Sequence, residues 1–309
     1  MCGIVGLYLK DPALEPRLGA LFEPMLVSMA DRGPDSAGFA VYGDEVGDGM
    51  LKFTLQNADP ALDWDALVAG LTRDLDATVD WFRNASAVVL KTHAAEADVR
   101  DWLADNAPDT RLMSVGRSIE ILKGVGHPKL VADRFSLAQM QGSHIIGHTR
   151  MATESGVSME GSHPFTTGED LCLVHNGSLS NHNRLRLTLE RAGIRFQTDN
   201  DSEVAAAYLS ERMSRGETLT EALEAAIDDL DGFFTFTIGT RDGFAVLRDP
   251  IACKPAVLAE TDAFVAMASE YRALAKLPGI AHARVWEPEP GRVYVWEHST
   301  RASMQETGT

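Results

Sequence analysis

Apolar positions in the first part of the chain predict strands and helices that differ in spacing. An apolar run at residues 2–9 is typical of a buried strand, and a further strand is predicted at 38–42. Residues 17–30 place apolar side chains at i, i+3, i+4 and i+7, which predicts an amphipathic helix. Between residues 44 and 126 strand and helix patterns alternate, which indicates a small inserted α/β segment. Its predicted strands are 51–55, 85–92 and 111–115, and its predicted helices are 61–82 and 95–103.

After this insertion the pattern gives strands, then a block of helices, then strands again. This order indicates an α+β layered domain rather than a doubly wound parallel sheet. The predicted strands are 143–149, 171–175, 233–239, 244–248, 256–259, 263–268 and 292–296, and the predicted helices are 184–192, 202–214 and 219–230. We expect residues 301–309 to form a flexible tail.

Charge and cysteine content narrow the classes of function. The 309 residues carry a net charge of -17, and an acidic surface repels phosphate, so we expect no nucleic-acid or membrane partner. No apolar run reaches membrane-spanning length, and no basic segment precedes the first run as in a signal peptide. Three cysteines without a CxxC pair favour a reducing cytoplasm, and we expect no metal and no cofactor. Cys172 and Cys253 are predicted to be small core residues.

Four polar segments stand at predicted strand ends or in loops, where rigid scaffolds often present functional groups. Each has a simple structural explanation when taken alone, as a turn or as the start of a helix. Their presence together, in a chain with cysteine at position 2, favours a functional site instead. The segments are DRGPDSAG at 31–38, GHTRMAT at 147–153, VHNGSLSN at 174–181 and TDNDSEV at 198–204.

Taken in order, these segments resemble the class II glutamine amidotransferases, which belong to the N-terminal nucleophile hydrolases. The resemblance implies a four-layer αββα sandwich over residues 2–300, interrupted by the inserted segment at 44–126. The matching motifs are CGIVG at 2–6, RGPDS at 32–36, GHTRMAT at 147–153, HNG at 175–177, DSEV at 201–204, RDP at 248–250, KP at 254–255 and ASE at 268–270.

The first roles that the resemblance implies concern amide hydrolysis. Cys2 is the expected nucleophile, and the Asn176 side chain and the Gly177 N–H are expected to stabilise the oxyanion. Removal of Met1 would give Cys2 a free α-amine. An α-amine has an ordinary pKa of about 7.7 to 8 and a thiol about 8.5, so such an amine can accept the thiol proton near neutral pH. It can then return the proton to the leaving ammonia, and no histidine base is required.

The other implied roles concern recognition of free glutamine. Arg150 offers a planar guanidinium for the substrate carboxylate, and Asp201 offers a carboxylate for the substrate ammonium. Arg32 and Thr153 are expected to complete the pocket beside Cys2. The expected substrate is glutamine or a γ-N-alkyl glutamine such as γ-glutamylmethylamide.

The sequence departs from the family pattern at three places. Asp31 stands where histidine often precedes the RGPD motif, and Met151 stands where an aromatic residue often follows the arginine of HTR. The inserted segment at 44–126 is not needed by a minimal glutaminase domain. We expect it to be a docking surface, so that its deletion spares folding and hydrolysis but abolishes partner binding.

The acceptor of the released ammonia is expected on another polypeptide, because the sequence offers no second domain and no acceptor-binding motif. Stand-alone chains of this kind resemble the amidotransferase subunit of N-methylglutamate synthase, whose partner subunits resemble parts of glutamate synthase. Two alternatives remain open. The protein could be a non-catalytic scaffold that retains Met1, or a stand-alone γ-glutamyl hydrolase.

Overall fold

The structure is a computed structural model that describes residues 2–151 and 158–298. Within these ranges we number strands and helices separately in chain order. The strands are β1 (Gly3–Leu9), β2 (Ser36–Tyr42), β3 (Leu51–Gln56), β4 (Val79–Asn84), β5 (Ala87–Thr92), β6 (Arg111–Gly116), β7 (Ile119–Val125), β8 (His144–Arg150), β9 (Phe165–Gly168), β10 (Leu171–Leu179), β11 (Gly232–Gly239), β12 (Gly243–Arg248), β13 (Val257–Glu260), β14 (Phe264–Ala268), β15 (Arg284–Trp286) and β16 (Val293–Glu297). The helices are α1 (Leu18–Ser28), α2 (Trp64–Asp74), α3 (Glu96–Asn106), α4 (Pro128–Arg134), α5 (His182–Arg191), α6 (Asp201–Ser214), α7 (Leu219–Asp229) and α8 (Tyr271–Leu274).

Hydrogen bonding arranges the described strands into a larger sheet, a smaller sheet and an insert sheet. The larger sheet has the order β15-β13-β14-β1-β8-β2-β7. The smaller sheet has the order β16-β12-β11-β10-β9, and the insert sheet has the order β4-β5-β3-β6. The strand β1 therefore lies in the middle of the larger sheet, antiparallel to β14 on one side and to β8 on the other.

Side chains of β1 alternate between the two faces of the larger sheet, as the two-residue period of a strand requires. Val5 and Leu7 pack outward in a core that includes Phe22 of α1. Ile4 and Tyr8 pack inward in a second core that lies between the larger and smaller sheets. Each fully buried side chain of this size contributes about 1.5 to 3 kcal/mol of burial free energy, so both faces of β1 are strongly specified.

The outer face of the smaller sheet is covered by α6 and α7. Leu173 and Phe236 of this sheet share a core with Val204 and Leu223 of the two helices. The order from one surface to the other is helix, larger sheet, smaller sheet, helix. This order confirms the predicted α+β fold class and its αββα sandwich.

The inserted segment differs from its predicted elements. The helix predicted over 61–82 ends at Asp74, and the left-handed residue Asp76 (φ 47°) turns the chain into β4. No prediction covers β7 at the end of this segment, and beyond the segment none covers α4 or β9. In β4 half-buried Val79 and Trp81 alternate with exposed Asp80 and Phe82, so its apolar positions are too few to reveal a strand at the sheet edge.

The last strand of segment 44–126 belongs to the larger sheet. Strand β7 pairs with β2 along its whole length, from Ser36 opposite Val125 to Tyr42 opposite Ile119. The part with its own sheet and core runs from β3 to β6, where α2 and α3 cover one face of the insert sheet. Removing 44–126 would therefore remove a strand of the sandwich. The limits of the amidotransferase-like region and of the insertion stay predictions.

Side chains complete the hydrogen bonds along the outer edge of β7. They come from the insert strands β3 and β6 and from the turn between β9 and β10. The described contacts are Ile119 N to Asp170 Oδ1 at 3.0 Å, Ile121 N to Ser114 Oγ at 3.2 Å and Gln56 Nε2 to Lys123 O at 2.6 Å. These bonds join the insert sheet to the sandwich.

The two cysteines predicted to be core residues have different surroundings. Cys172 is fully buried between the two main sheets, as predicted. Cys253 is exposed, so its prediction as a core residue is wrong. It lies in the loop between β12 and β13, outside the paired strands whose side chains form the cores.

Across the described residues, no helix is both long and apolar enough to cross a bilayer.

Asp170 fixes the turn where the chain returns from the insert sheet. Its buried carboxylate accepts hydrogen bonds from the backbone N–H of Arg117 at 2.7 Å, Ser118 at 2.9 Å and Ile119 at 3.0 Å. The Ser118 hydroxyl also donates to it, at 3.1 Å.

We expect Asp170→Ala to lower the free energy of unfolding by about 3 kcal/mol, because several backbone amides lose a charged acceptor. Urea titration measures this change. Glu169→Ala, at the exposed neighbouring position, should change the free energy by less than about 0.5 kcal/mol. Equal effects of the two variants would contradict the assigned role of Asp170.

Candidate active site

Cys2 precedes β1 and is half-buried. The next residue, Gly3, pairs with Thr149 of β8. On the other side, Ile4 N donates to Ser269 Oγ at 2.9 Å, and Ser269 N donates to Ile4 O at 2.9 Å. The start of the chain is therefore held from both sides.

Two side chains donate to the main-chain carbonyl of Cys2. Arg32 Nε lies 2.9 Å from Cys2 O, and Asn176 Nδ2 lies 3.4 Å from the same oxygen. Arg32 also forms an ion pair with Glu270, with Nη1 2.7 Å from Oε1. The structure thus places Arg32 against the Cys2 main chain, and its expected part in the substrate pocket stays a prediction.

Asn176 and Gly177 lie within β10, near its end, rather than in a tight turn. Asn176 is buried and pairs with Thr235 of β11. Gly177 has a φ of 154°, and a Cβ at this position would lie 1.8 Å from the carbonyl oxygen of Phe233. Only glycine fits so close to the neighbouring strand. The packing of the two sheets brings Asn176 to Cys2, although 174 residues separate them in the sequence.

Asp201 is the first residue of α6, where a negative charge is favoured by the helix dipole. The helix is capped by Asn200, whose side chain accepts from Ser202 N at 2.8 Å. Asp201 Oδ2 accepts from Leu179 N at 2.8 Å, two residues beyond Gly177. This bond ties the start of α6 to the end of β10.

Arg150 ends β8, directly after the residue that pairs with Gly3. It is half-buried, and its carbonyl accepts from Asp35 N at 3.0 Å. Thr153, also expected in the substrate pocket, lies outside the described residues. One end of the sandwich thus collects the thiol-bearing Cys2 with an amide, a carboxylate and a guanidinium. Together they could attack an amide and bind an amino acid.

Comparison with known proteins identifies the family. The glutamine amidotransferase domain model matches residues 148–276. The "Glutamine amidotransferase-like protein GlxB" of Rhizobium meliloti is 58% identical over 306 residues, which cover 98% of this chain and 100% of that protein. The chain belongs to the glutamine amidotransferase family.

Two further proteins match this amidotransferase over nearly its whole length. A protein of Methanothermobacter thermautotrophicus is 34% identical over 96% of this chain and 100% of its own length. The solved structure of the glutamine phosphoribosylpyrophosphate amidotransferase from B. subtilis has a TM-score of 0.61 at 21% identity. The match covers 96% of this chain and 47% of the B. subtilis chain, and it shows that the two proteins share a fold.

Three buried histidines for which the sequence predicts no role lie beside the candidate site. Ser202 Oγ lies 2.8 Å from His163 Nε2 and 2.9 Å from His175 Nδ1, and the ring centroids of His148 and His163 are 4.1 Å apart. Burial lowers the pKa of His148 to about 3 and of His175 to about 4, and that of His163 well below its ordinary value. These rings are therefore neutral at physiological pH. His148 and His175 fall inside recognised motifs, whereas His163 lies outside all four.

We expect the free energy of unfolding to fall as the pH decreases from about 6.5 towards 4. Histidine in the unfolded chain has a pKa of about 6.5, so the unfolded state takes up protons before the buried native rings do. Each such histidine contributes a slope of up to about 1.4 kcal/mol per pH unit. Burial also lowers the pKa of His144, to about 3.

Urea titrations between pH 7.5 and 5 measure this slope. The difference between wild type and His144→Gln isolates the contribution of one histidine, because other titrating groups are common to both proteins. Identical slopes in the two proteins would show that His144 is not held neutral by the fold.

Proposed function

We propose that this amidotransferase hydrolyses the γ-amide of glutamine through the Cys2 thiolate, after Met1 has been removed. The observation that best supports this is the contact between the Asn176 amide and the main chain of Cys2. It joins the expected nucleophile to the expected oxyanion donor across the two sheets.

The proposed chemistry follows from these positions. The neutral α-amine of Cys2 takes the thiol proton, and the thiolate attacks the amide carbon of the substrate. The tetrahedral oxyanion accepts hydrogen bonds from the Asn176 side chain and the Gly177 N–H, and losing one such donor raises the barrier by about 3 to 4 kcal/mol. The amine then gives its proton to the leaving ammonia, and water cleaves the thioester. Arg150 and Asp201 hold the two charged ends of glutamine, with Arg32 beside the pocket.

Exposed apolar side chains at this end of the sandwich support a second polypeptide as the acceptor of ammonia. We name them the apolar rim: they are Val125, Met151, Phe233, Ile251 and Tyr271. All lie within three residues of strand ends on the side of the molecule where β1 starts. The pairing registers show this within each sheet, and the Asn176–Cys2 contact joins the two sheets there. Apolar patches of this kind suit protein contacts, and a contact here would keep released ammonia from bulk water.

For the partner we propose glutamate-synthase-like subunits, in a complex of the N-methylglutamate synthase type. The substrate is then glutamine or γ-glutamylmethylamide, and the transferred amine is ammonia or methylamine. The insert sheet is proposed as a second contact, because its helices carry a marked negative charge. Helices α2 and α3 bear Asp65, Asp74, Glu96, Asp98, Asp101 and Asp105 against Arg73 and Arg100.

We expect Cys2→Ala to lower amide hydrolysis by at least about 1,000-fold, because the nucleophile is lost. Release of ammonia from glutamine and of methylamine from γ-glutamylmethylamide measures this loss and identifies the better substrate. Cys253→Ser, at the exposed cysteine, is the matched control and should keep full activity. Cleavage of larger γ-glutamyl conjugates in preference to both substrates would favour the stand-alone hydrolase.

The intact mass of the protein purified from its native host tests the same proposal independently. Loss of Met1 is expected. Uniform retention of Met1 would exclude the N-terminal mechanism and favour the scaffold. Full activity in Cys2→Ala would exclude Cys2 as the nucleophile.

We expect Ile251→Glu to reduce capture of glutamate-synthase-like subunits from the native host by at least about tenfold, because a charge would be buried in the contact. Ile251 is 67% exposed, and the substitution should not alter hydrolysis of glutamine by the isolated chain. Leu187→Glu on α5, at a position 56% exposed, is the control and should leave capture unchanged. Undiminished capture by Ile251→Glu would rule out the apolar rim as the contact.

A further inference from the structure

Four side chains of alternating charge lead from the protein surface to Cys2. Asp31 Oδ2 lies 2.8 Å from Arg272 Nη1, and Arg272 Nε lies 2.7 Å from Glu270 Oε2. The other carboxylate oxygen of Glu270, Oε1, lies 2.7 Å from Arg32 Nη1. Arg32 Nε then donates to Cys2 O at 2.9 Å. We name Asp31, Arg272, Glu270 and Arg32 the charge ladder.

Burial increases along the charge ladder towards the nucleophile. The side chain of Asp31 is 81% exposed and that of Arg272 46% exposed, whereas Glu270 is 33% and Arg32 10% exposed. The outer pair alone would contribute little, because exposed ion pairs are screened by water. The inner pair is better shielded, and the Arg32 hydrogen bond holds the pKa of Glu270 below its ordinary value. Glu270 is therefore charged at neutral pH, with an arginine on each of its oxygens.

The segment that contains Glu270 also contacts β1, the strand that follows Cys2. Ser269, directly before Glu270, exchanges two hydrogen bonds with Ile4. A shift of Glu270 would therefore disturb both β1 and Arg32.

The Cys2 carbonyl connects the charge ladder to the expected oxyanion donor. Arg32 Nε and Asn176 Nδ2 share this oxygen as acceptor. An amide nitrogen has two hydrogens, so the contact with Cys2 O leaves one hydrogen of Asn176 for a substrate oxygen. The position of this carbonyl thus sets both the orientation of Cys2 and the direction of the Asn176 amide.

We propose that Glu270 and Arg272 are positioning residues for catalysis, which act by holding Arg32 on the Cys2 carbonyl. The proposal rests on the proposed function of Cys2. Neither residue is among those proposed to bind the substrate, so the turnover number should depend on them more than substrate affinity does.

The test compares Glu270→Gln, Arg272→Ala and the double variant in glutamine hydrolysis. Glu270→Gln should lower kcat about tenfold, because small errors of position are costly in catalysis, and KM should stay within about twofold. Arg272→Ala should lower kcat about threefold. The double variant should match Glu270→Gln alone, because both changes break the same connection. Arg241→Ala, which removes a comparably exposed arginine paired with Asp242, is the control and should leave kcat unchanged.

Alkylation by iodoacetamide, followed peptide by peptide in a mass spectrometer, gives a second readout. The alkylation rate at Cys2 should change more in Glu270→Gln than in Arg272→Ala, as kcat does. The alkylation rate at exposed Cys253 in the same sample should stay constant.

Full kcat in both Glu270→Gln and Arg272→Ala, with Cys2→Ala inactive, would overturn this inference and leave the proposed function intact. A loss of kcat accompanied by an equal change at Cys253 or by a lower unfolding temperature would also overturn it, since that pattern indicates a structural role. If Glu270→Gln does not fold, the partly exposed Arg272→Ala decides the question alone. Activity in Cys2→Ala would instead reject the proposed function.

Discussion

The central position of β1 in the larger sheet is the constraint on which the site depends. The first residues of a domain are usually poorly ordered unless other elements hold them. Here β14 and β8 pair with β1 on either side, and Ser269 closes the open end of one pairing. Because β1 also faces cores on both of its sides, its register cannot slip without moving every side chain to the wrong face. Cys2, the proposed nucleophile, thereby gains the fixed position of an interior residue.

Two neutral histidines contact Ser202, the residue next to Asp201. Ser202 Oγ contacts His163 Nε2, His175 Nδ1 and, at 3.2 Å, Asp201 Oδ1. Burial lowers the pKa of both rings, so both are uncharged at physiological pH. The carboxylate expected to bind the substrate ammonium is thus oriented by groups that bring no positive charge to compete with it.

Much of the sandwich could be predicted from the sequence, and the residues of the candidate site could be proposed from it, because both leave local patterns. The strands β1, β12 and β14 carry apolar runs, and Cys2, Asn176 and Asp201 lie in short motifs. The contacts of Arg32 with Cys2 and Glu270 could not be predicted, because they join segments about 30 and 240 residues apart. The prediction that Cys253 is a core residue is wrong, because an apolar residue type does not by itself determine burial. The elements β4 and β7 lie at sheet edges or contain glycine, and their spacing gives no clear period.

The side chains along the outer edge of β7 have a consequence for solubility. An uncovered edge strand presents free N–H and C=O groups that can recruit a strand from another molecule, and this is a common route to aggregation. Gln56, Ser114 and Asp170 occupy these groups in turn along β7. The insert sheet and Asp170 therefore cover the β7 edge of the larger sheet, so that this edge does not become a template for intermolecular β-assembly.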